Sequence, residues 1–216
     1  IVLDVLKADG QDVKGIYERN DIQIRTKEGL EQYKGYYKNK DLPTQTIINE
    51  NGLLLHVDVE NGQKTGYFLD QKSNRYLLRK IAHGKRVVDC FSHTGGFALN
   101  AAMGNASHVV SVDVSKTALD QGYQNAKLNH LEDKIDFVQA DVFDYLDELK
   151  ENEFDIIVLD PPAFTKSRRT VQKAYNGYKR INKQAMKVLK NGGYLITCSC
   201  SRFMETANFE KMLREA

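Results

Sequence analysis

The chain is 216 residues long, enough for one ordinary domain and part of a second. Hydrophobic residues make up 41% and charged residues 28%, a globular composition, and no run of 18 apolar residues is present to form a membrane-spanning helix. The net charge of +2 excludes no class of partner, while three cysteines, Cys90, Cys198 and Cys200, argue against a disulfide framework and for a reducing, cytoplasmic setting.

Ile1 to Asp12 lack the layout of a signal peptide, and without an initiator Met the chain reads as a fragment of a longer one. Residues 1–66 then read as short strands and turns. Strands are expected at Ile22–Arg25, Thr46–Asn49 and Leu53–Val59, the last two joined by Asn51-Gly52 in a tight hairpin. This predicts a small α+β module. From Asn74 the rhythm changes to strand, helix, strand, helix. Strands are expected at Lys85–Phe91, His108–Val112, Ile135–Gln139, Phe154–Leu159 and Tyr194–Cys200. Helices are expected at Gly95–Met103, from a Ser115 cap to about Asn129 with Leu119, Tyr123 and Ala126 on one face, at Val142–Lys150, and at Gln172–Leu189. Alternating β and α units predict a parallel, doubly wound, Rossmann-like α/β sheet with its ligands beyond the carboxyl ends of the strands.

Those strand ends carry polar residues. The first is followed by Asp89-Cys90-Phe91-Ser92-His93-Thr94-Gly95-Gly96-Phe97, the second ends in Asp113, the third is followed by Asp141, the fourth ends in Asp160-Pro161-Pro162 and the fifth in Cys198-Ser199-Cys200-Ser201. One Asp at a strand end is commonplace as a helix cap or turn residue. Four acids and a thiol along one edge point to a site. Gly95-Gly96 permits close backbone approach to a ligand, but the G-x-G-x-x-G spacing that seats a pyrophosphate is missing. Asp113 is placed to accept from ribose hydroxyls and Asp141 from an exocyclic amine. The proline pair stiffens the loop that presents Asp160. Cys200 reads either as a nucleophile or as a small buried hydrophobe, and Cys198 competes with it. A C-x-C without a second pair of ligands predicts no metal site.

Charge is unevenly spread. Between Pro161 and Met204 there is no acid, while Lys166, Arg168, Arg169, Lys173, Lys179, Arg180, Lys183, Lys187, Lys190 and Arg202 all fall there. Such a one-signed stretch suits a polyanion such as RNA, and equally a solvated helix face.

Gly62-Gln63-Lys64-Thr65-Gly66-Tyr67-Phe68-Leu69-Asp70-Gln71 closely resembles the lead-in motif of the bacterial large-subunit rRNA cytosine-5 methyltransferases. Asp89–Phe97, Ser111–Ser115, Asp160-Pro161-Pro162-Ala163-Phe164 and Cys198–Ser201 are similar to later motifs of that family in the same order, so the resemblance covers residues 15 to 205. It implies a small central module over residues 1–66 and a class I methyltransferase domain over 67–216. It implies S-adenosylmethionine (SAM) as methyl donor, S-adenosylhomocysteine (SAH) as product, and 23S rRNA or its precursor as partner through the basic segment 166–202. It implies that Cys200 attacks C6 of cytosine so that C5 takes the methyl group, with Asp160 supporting the ring. Phe68, Asp70, Gln71, Asp89, Phe91, Ser92, Thr94, Gly95, Gly96, Asp113, Asp141 and Asp160 would then bind the donor.

Three departures accompany the resemblance. The family's N-terminal PUA-type module is not expected within these 216 residues, the sheet is expected to stop after its fifth strand without a final hairpin, and Ala163-Phe164 stand where many RNA cytosine-5 enzymes carry a second Cys after the Pro pair. The alternatives are a guanine (N7 or N2) methyltransferase needing no thiol, a nucleotide-cofactor oxidoreductase, which the missing glycine spacing opposes, and a non-catalytic RNA-binding module.

Overall fold

The computed structural model describes residues 1–38, 42–165 and 167–216. They form two compact units, Ile1–Asn49 with Leu55–Gln71, and Glu50–Leu54 with Lys72–Ala216. The division by contacts therefore falls at Gln71, a few residues after the change of sequence texture at 66, and it places the tip of one hairpin in the second unit.

In the first unit, α1 (Val2–Ala8) precedes β1 (Ile16–Asn20), α2 (Gln23–Lys27) and β2 (Tyr33–Tyr37). β1 and β2 pair antiparallel, with Tyr17 and Tyr36 opposed edge to face at 4.9 Å. The strand expected at Ile22–Arg25 is the helix α2 instead. Period-2 alternation signals a strand because one face is buried; here Ile22 and Ile24 are both about half exposed, so no burial favours extension. β3 (Gln45–Glu50) and β4 (Leu53–Asp58) form the expected hairpin. Asn51 and Gly52 carry φ of 53° and 85°, the two positive angles a type I′ turn needs. Gly66 has φ 95°, and a Cβ there would lie 2.6 Å from the Asp58 carbonyl oxygen, which fixes the glycine of the lead-in motif.

The second unit contains α3 (Lys72–Ile81), β5 (Arg86–Cys90), α4 (Gly96–Met103), β6 (His108–Asp113), α5 (Lys116–Leu128), β7 (Ile135–Gln139), α6 (Val142–Glu148), β8 (Phe154–Leu159), α7 (Val171–Val188), β9 (Leu189–Thr197) and α8 (Thr206–Glu215). All five strands are parallel, in the order β7-β6-β5-β8-β9. The chain thus runs outward from β5 through β6 and β7, then returns to the other side of β5 with β8. The order reverses between β5 and β8, which is where an open α/β sheet leaves a crevice at its carboxyl edge. Val87, Val88, Ile156, Ile157, Val158 and Leu159 are fully buried, as strands covered on both faces require. Helix α4 buries six of its eight residues and is apolar nearly all round, as an interior helix is. Arg75 and Glu50 form a buried two-toothed ion pair at 2.8 and 2.7 Å.

Three details differ from the sequence reading. Tyr123 is exposed, its ring set edge-on to Phe137 at 6.0 Å, while Leu119 and Ala126 are buried. β9 begins at Leu189 and ends at Thr197, so Cys198–Ser201 lie in a loop. The ladder stops because the neighbouring strand runs into Pro161-Pro162, which have no N–H to donate; Cys198 N–H to the Leu159 carbonyl, 2.8 Å, is a last bond across that gap. Helix α8 was not expected, yet Met212 is fully buried in the same cluster as Tyr178 and Val188. Among the described residues no helix is long and apolar enough to cross a membrane, and no three His, Cys, Asp or Glu side chains gather as a metal site needs.

Candidate active site

The crevice between β5 and β8 is built by strand ends. Cys90 pairs with Leu159, so Phe91 and Asp160 leave the sheet side by side, and the Asp160 N–H points to the Cys90 carbonyl at 3.5 Å. The loop after β5 turns sharply. Phe91, His93 and Gly95 have φ of 61°, 50° and 76°, and two of these are not glycine. Backbone in this region is strained for residues with a Cβ and persists only where the surroundings impose it. Asp113 supplies that imposition: its Oδ2 accepts from His93 N–H and its Oδ1 from Ser115 N–H, both at 2.9 Å. Gly95 then caps α4 in the left-handed region.

Asp89 lies beneath this loop and is 1% exposed. Its Oδ2 accepts from Ala98 N–H at 2.9 Å, in the first turn of α4, while Oδ1 finds no partner among the described residues. Burial, helped by the charges of Asp160 and Asp113 and opposed by the Ala98 bond, pushes its carboxyl up to about 8. Burial lowers His93, and the Ser92 hydroxyl is buried with no partner among the described residues. Asp141 does what the bland reading of a strand-end Asp holds: it is exposed and caps α6, accepting from Phe143 N–H at 2.8 Å. The Thr94 carbonyl accepts from Asn125 at 3.4 Å, and Gly96 opens α4.

On the other side of the crevice, the Cys200 thiol is exposed and donates to the Pro161 carbonyl at 3.7 Å. The sulfur therefore sits against the Asp160-Pro161-Pro162 loop and open to solvent. Cys198 is half-buried and Cys90 fully buried, with its thiol pushed up by burial. Phe68, Asp70 and Gln71 belong to the first unit, where Leu69–Gln71 is a 3₁₀ turn and Lys64 Nζ lies 4.5 Å above the Phe68 ring.

An acidic edge repels a phosphate ligand and suits one with positive charge, hydroxyls and no phosphate. SAM has that chemistry: a sulfonium and an ammonium, a ribose and an adenine. The partnerless buried oxygens of Asp89 and Ser92 beside the strained loop fit such a group.

Comparison with known proteins agrees. Residues 30–216 match the S-adenosylmethionine-dependent methyltransferase family. The chain belongs to this family. The curated relatives of this methyltransferase include "Ribosomal RNA large subunit methyltransferase I" of Aeromonas salmonicida, 46% identical over 204 residues, and its namesake in Aliivibrio fischeri, 44% identical over 204 residues. Each alignment covers 93% of this chain and 52% of the relative, so the chain spans about half the length of the curated relatives it matches. Among solved structures, a proposed methyltransferase complexed with SAH superposes with a TM-score of 0.81 at 29% identity, covering 100% of this chain and 55% of that one.

The basic segment of the methyltransferase is partly neutralised. Lys179 pairs with Glu215 at 3.0 Å, Arg180 with Asp147 at 2.7 Å and Lys190 with Asp155 at 3.1 Å. Arg168, Arg169, Lys173, Lys183, Lys187 and Arg202 are exposed, and Lys166 lies outside the described residues. Sequence reasoning also missed Gly122 on α5. A Cβ there would meet Phe137 Cε1 at 2.8 Å and the Thr94 carbonyl carbon at 3.3 Å, so the helix packs its backbone against the donor loop. A glycine inside a helical pattern was the available signal.

Proposed function

We propose that the protein transfers a methyl group from SAM to C5 of a cytosine in 23S rRNA, through a covalent bond from Cys200 to C6. The observation that carries this reading is the exposed Cys200 thiol held 3.7 Å from the Pro161 carbonyl, at the edge where Asp160 and the donor loop emerge. The names of the relatives support a large-subunit rRNA substrate. Asp89, Ser92, Gly95, Gly96, Asp113 and Asp141 hold the donor, and when bound SAM supplies an electrophilic methyl group on sulfur.

The chain's own residues do the rest. The exposed Cys200 thiol gives up its proton to solvent water and its sulfur adds to C6 of the ring. Asp160 hydrogen-bonds or protonates the ring nitrogen, so the electron pair of the 5,6 double bond becomes available at C5. Once C5 is methylated, a base removes its proton, the double bond re-forms and the thiolate leaves. The cytosine must leave its stack to reach this crevice, as in other enzymes that act on a base. The exposed cations Arg168, Arg169, Lys173 and Arg202 hold the phosphate backbone beside it.

Full-length protein carrying Cys200→Ala tests this with SAM and 23S rRNA, by nucleoside mass spectrometry alongside calorimetric SAM binding. The expected result is loss of methylation with donor affinity unchanged. Retained turnover removes the nucleophile and points to methylation of guanine.

A further inference from the structure

Tyr178, in the middle of α7, is fully buried, yet its hydroxyl is the hub of a polar cluster under the Cys200 loop. Ser199 donates to the Tyr178 hydroxyl at 3.0 Å, and the Tyr178 and Ser201 hydroxyls share a bond of 2.9 Å. These two serines flank Cys200 directly. Ser201 Oγ also accepts from Thr165 N–H at 3.4 Å, and Ser201 N–H donates to Ser199 Oγ at 3.3 Å. Thr165 lies in the segment that begins at Asp160-Pro161-Pro162. The Tyr178 ring is stacked on Phe164 of that same segment, with centroids 4.5 Å apart and planes 33° apart, and meets Phe209 of α8 edge-on at 5.7 Å. One side chain thus binds both loops of the crevice, by its hydroxyl and by its ring.

A buried hydroxyl cluster needs every member satisfied to be stable. Here Ser199 and Ser201 both contribute to the arrangement that satisfies the Tyr178 hydroxyl. Both serine hydroxyls meet the Tyr178 hydroxyl, so the residue between them is held by its two neighbours. Cys200 is that residue, exposed and against the Pro161 carbonyl. We infer that Tyr178 is a positioning residue: its hydroxyl clamps Ser199 and Ser201 and thereby holds the Cys200 sulfur at the Asp160-Pro161-Pro162 loop. The inference rests on the reading of Cys200 as the reacting thiol for its catalytic consequence, and on geometry alone for the placement.

Tyr178→Phe removes the hydroxyl and keeps the ring. The test follows two rates in the full-length protein: alkylation of Cys200 by iodoacetamide, by peptide mass mapping, and methylation of 23S rRNA. A thiol released from its carbonyl partner is expected to alkylate about threefold faster, the size of one weak hydrogen bond. Methylation is expected to slow by about 10- to 100-fold, as for a reacting group displaced by about an ångström. SAM affinity should not change. The double variant Ser199→Ala with Ser201→Ala leaves Tyr178 and its packing in place and should reproduce both shifts, which covers the case of a Phe variant that folds poorly. Opposite movement of the two rates supports the clamp; two unchanged rates, or two that fall together with the folded fraction, overturn it. If Cys200→Ala retains turnover, the nucleophile reading fails on its own, and the alkylation rate alone then decides whether Tyr178 places the thiol.

Discussion

Replacing Gly122 with Ala sets two effects of known sign against each other. Gly inside a helix is about 1 kcal/mol worse than Ala, so an unobstructed substitution in α5 would stabilise the protein by that amount. The added Cβ, however, lies 2.8 Å from Phe137 Cε1 and 3.3 Å from the Thr94 carbonyl carbon. Extra methyl groups forced into packed sites cost about 1–3 kcal/mol. The balance is a net loss of about 1 kcal/mol, with a fall in Tm of roughly 2–4 °C for a chain of this size. Phe137 is half-buried and its ring can tilt towards Tyr123. The Thr94 backbone has less room, because it leads into Gly95 with φ 76° and the His93 N–H is tied to Asp113. Strain is therefore passed to the donor loop, and SAM affinity should drop by about tenfold, the scale expected when a binding group shifts by a fraction of an ångström. Scanning calorimetry and isothermal titration with SAM read the two quantities. Gln124→Ala, exposed on the same helix, is the control and should stay within about 0.5 kcal/mol. A Gly122→Ala protein that gains about 1 kcal/mol and binds SAM normally would refute the reasoning.

Two further outcomes follow from buried charges. Glu50→Ala removes the carboxylate that Arg75, 3% exposed, holds by two hydrogen bonds, and should cost about 3–5 kcal/mol in chemical denaturation, whereas an exposed pair such as Lys116–Asp120 should contribute well under about 1 kcal/mol. Asp89 has a folded-state pKa of about 8, raised from 3.8, so its contribution to stability is full below pH 3.8 and is lost as pH rises towards 8. Asp89→Asn keeps an oxygen for Ala98 N–H and removes the titration; its Tm should fall less than that of the wild type between pH 5 and pH 9, and equal slopes would contradict the burial argument.

Much of the second unit was legible because it rests on strong periodic signals. β8 was legible as an apolar run because Ile156–Leu159 are fully buried, as in a strand covered on both faces. The Asn51-Gly52 hairpin was legible for a local reason, two residues suited to positive φ. Ile22–Arg25 misled because alternation says nothing about whether a face will be covered. Helix α8 carried Phe209, Met212 and Leu213 at helical spacing, a signal present but unread. At the candidate site, the glycine turn and the acids announced themselves by position at strand ends. What each acid does was not legible: Asp113 and Asp141 both bind backbone N–H groups, which makes them turn and cap residues as well as candidate ligands. The Tyr178 cluster was invisible because it joins side chains 21 and 23 residues apart through hydroxyls with no sequence pattern.

The central claim is that the Cys200 sulfur bonds to the target base. Intact-mass analysis of the full-length protein incubated with SAM and 23S rRNA containing 5-fluorocytidine measures this directly, because fluorine at C5 blocks the proton removal that frees the enzyme. The expected result is a stable protein–RNA adduct that maps to Cys200 and is lost in Cys200→Ala. A methylated product formed without any adduct, or an adduct that maps to Cys198, would contradict the account.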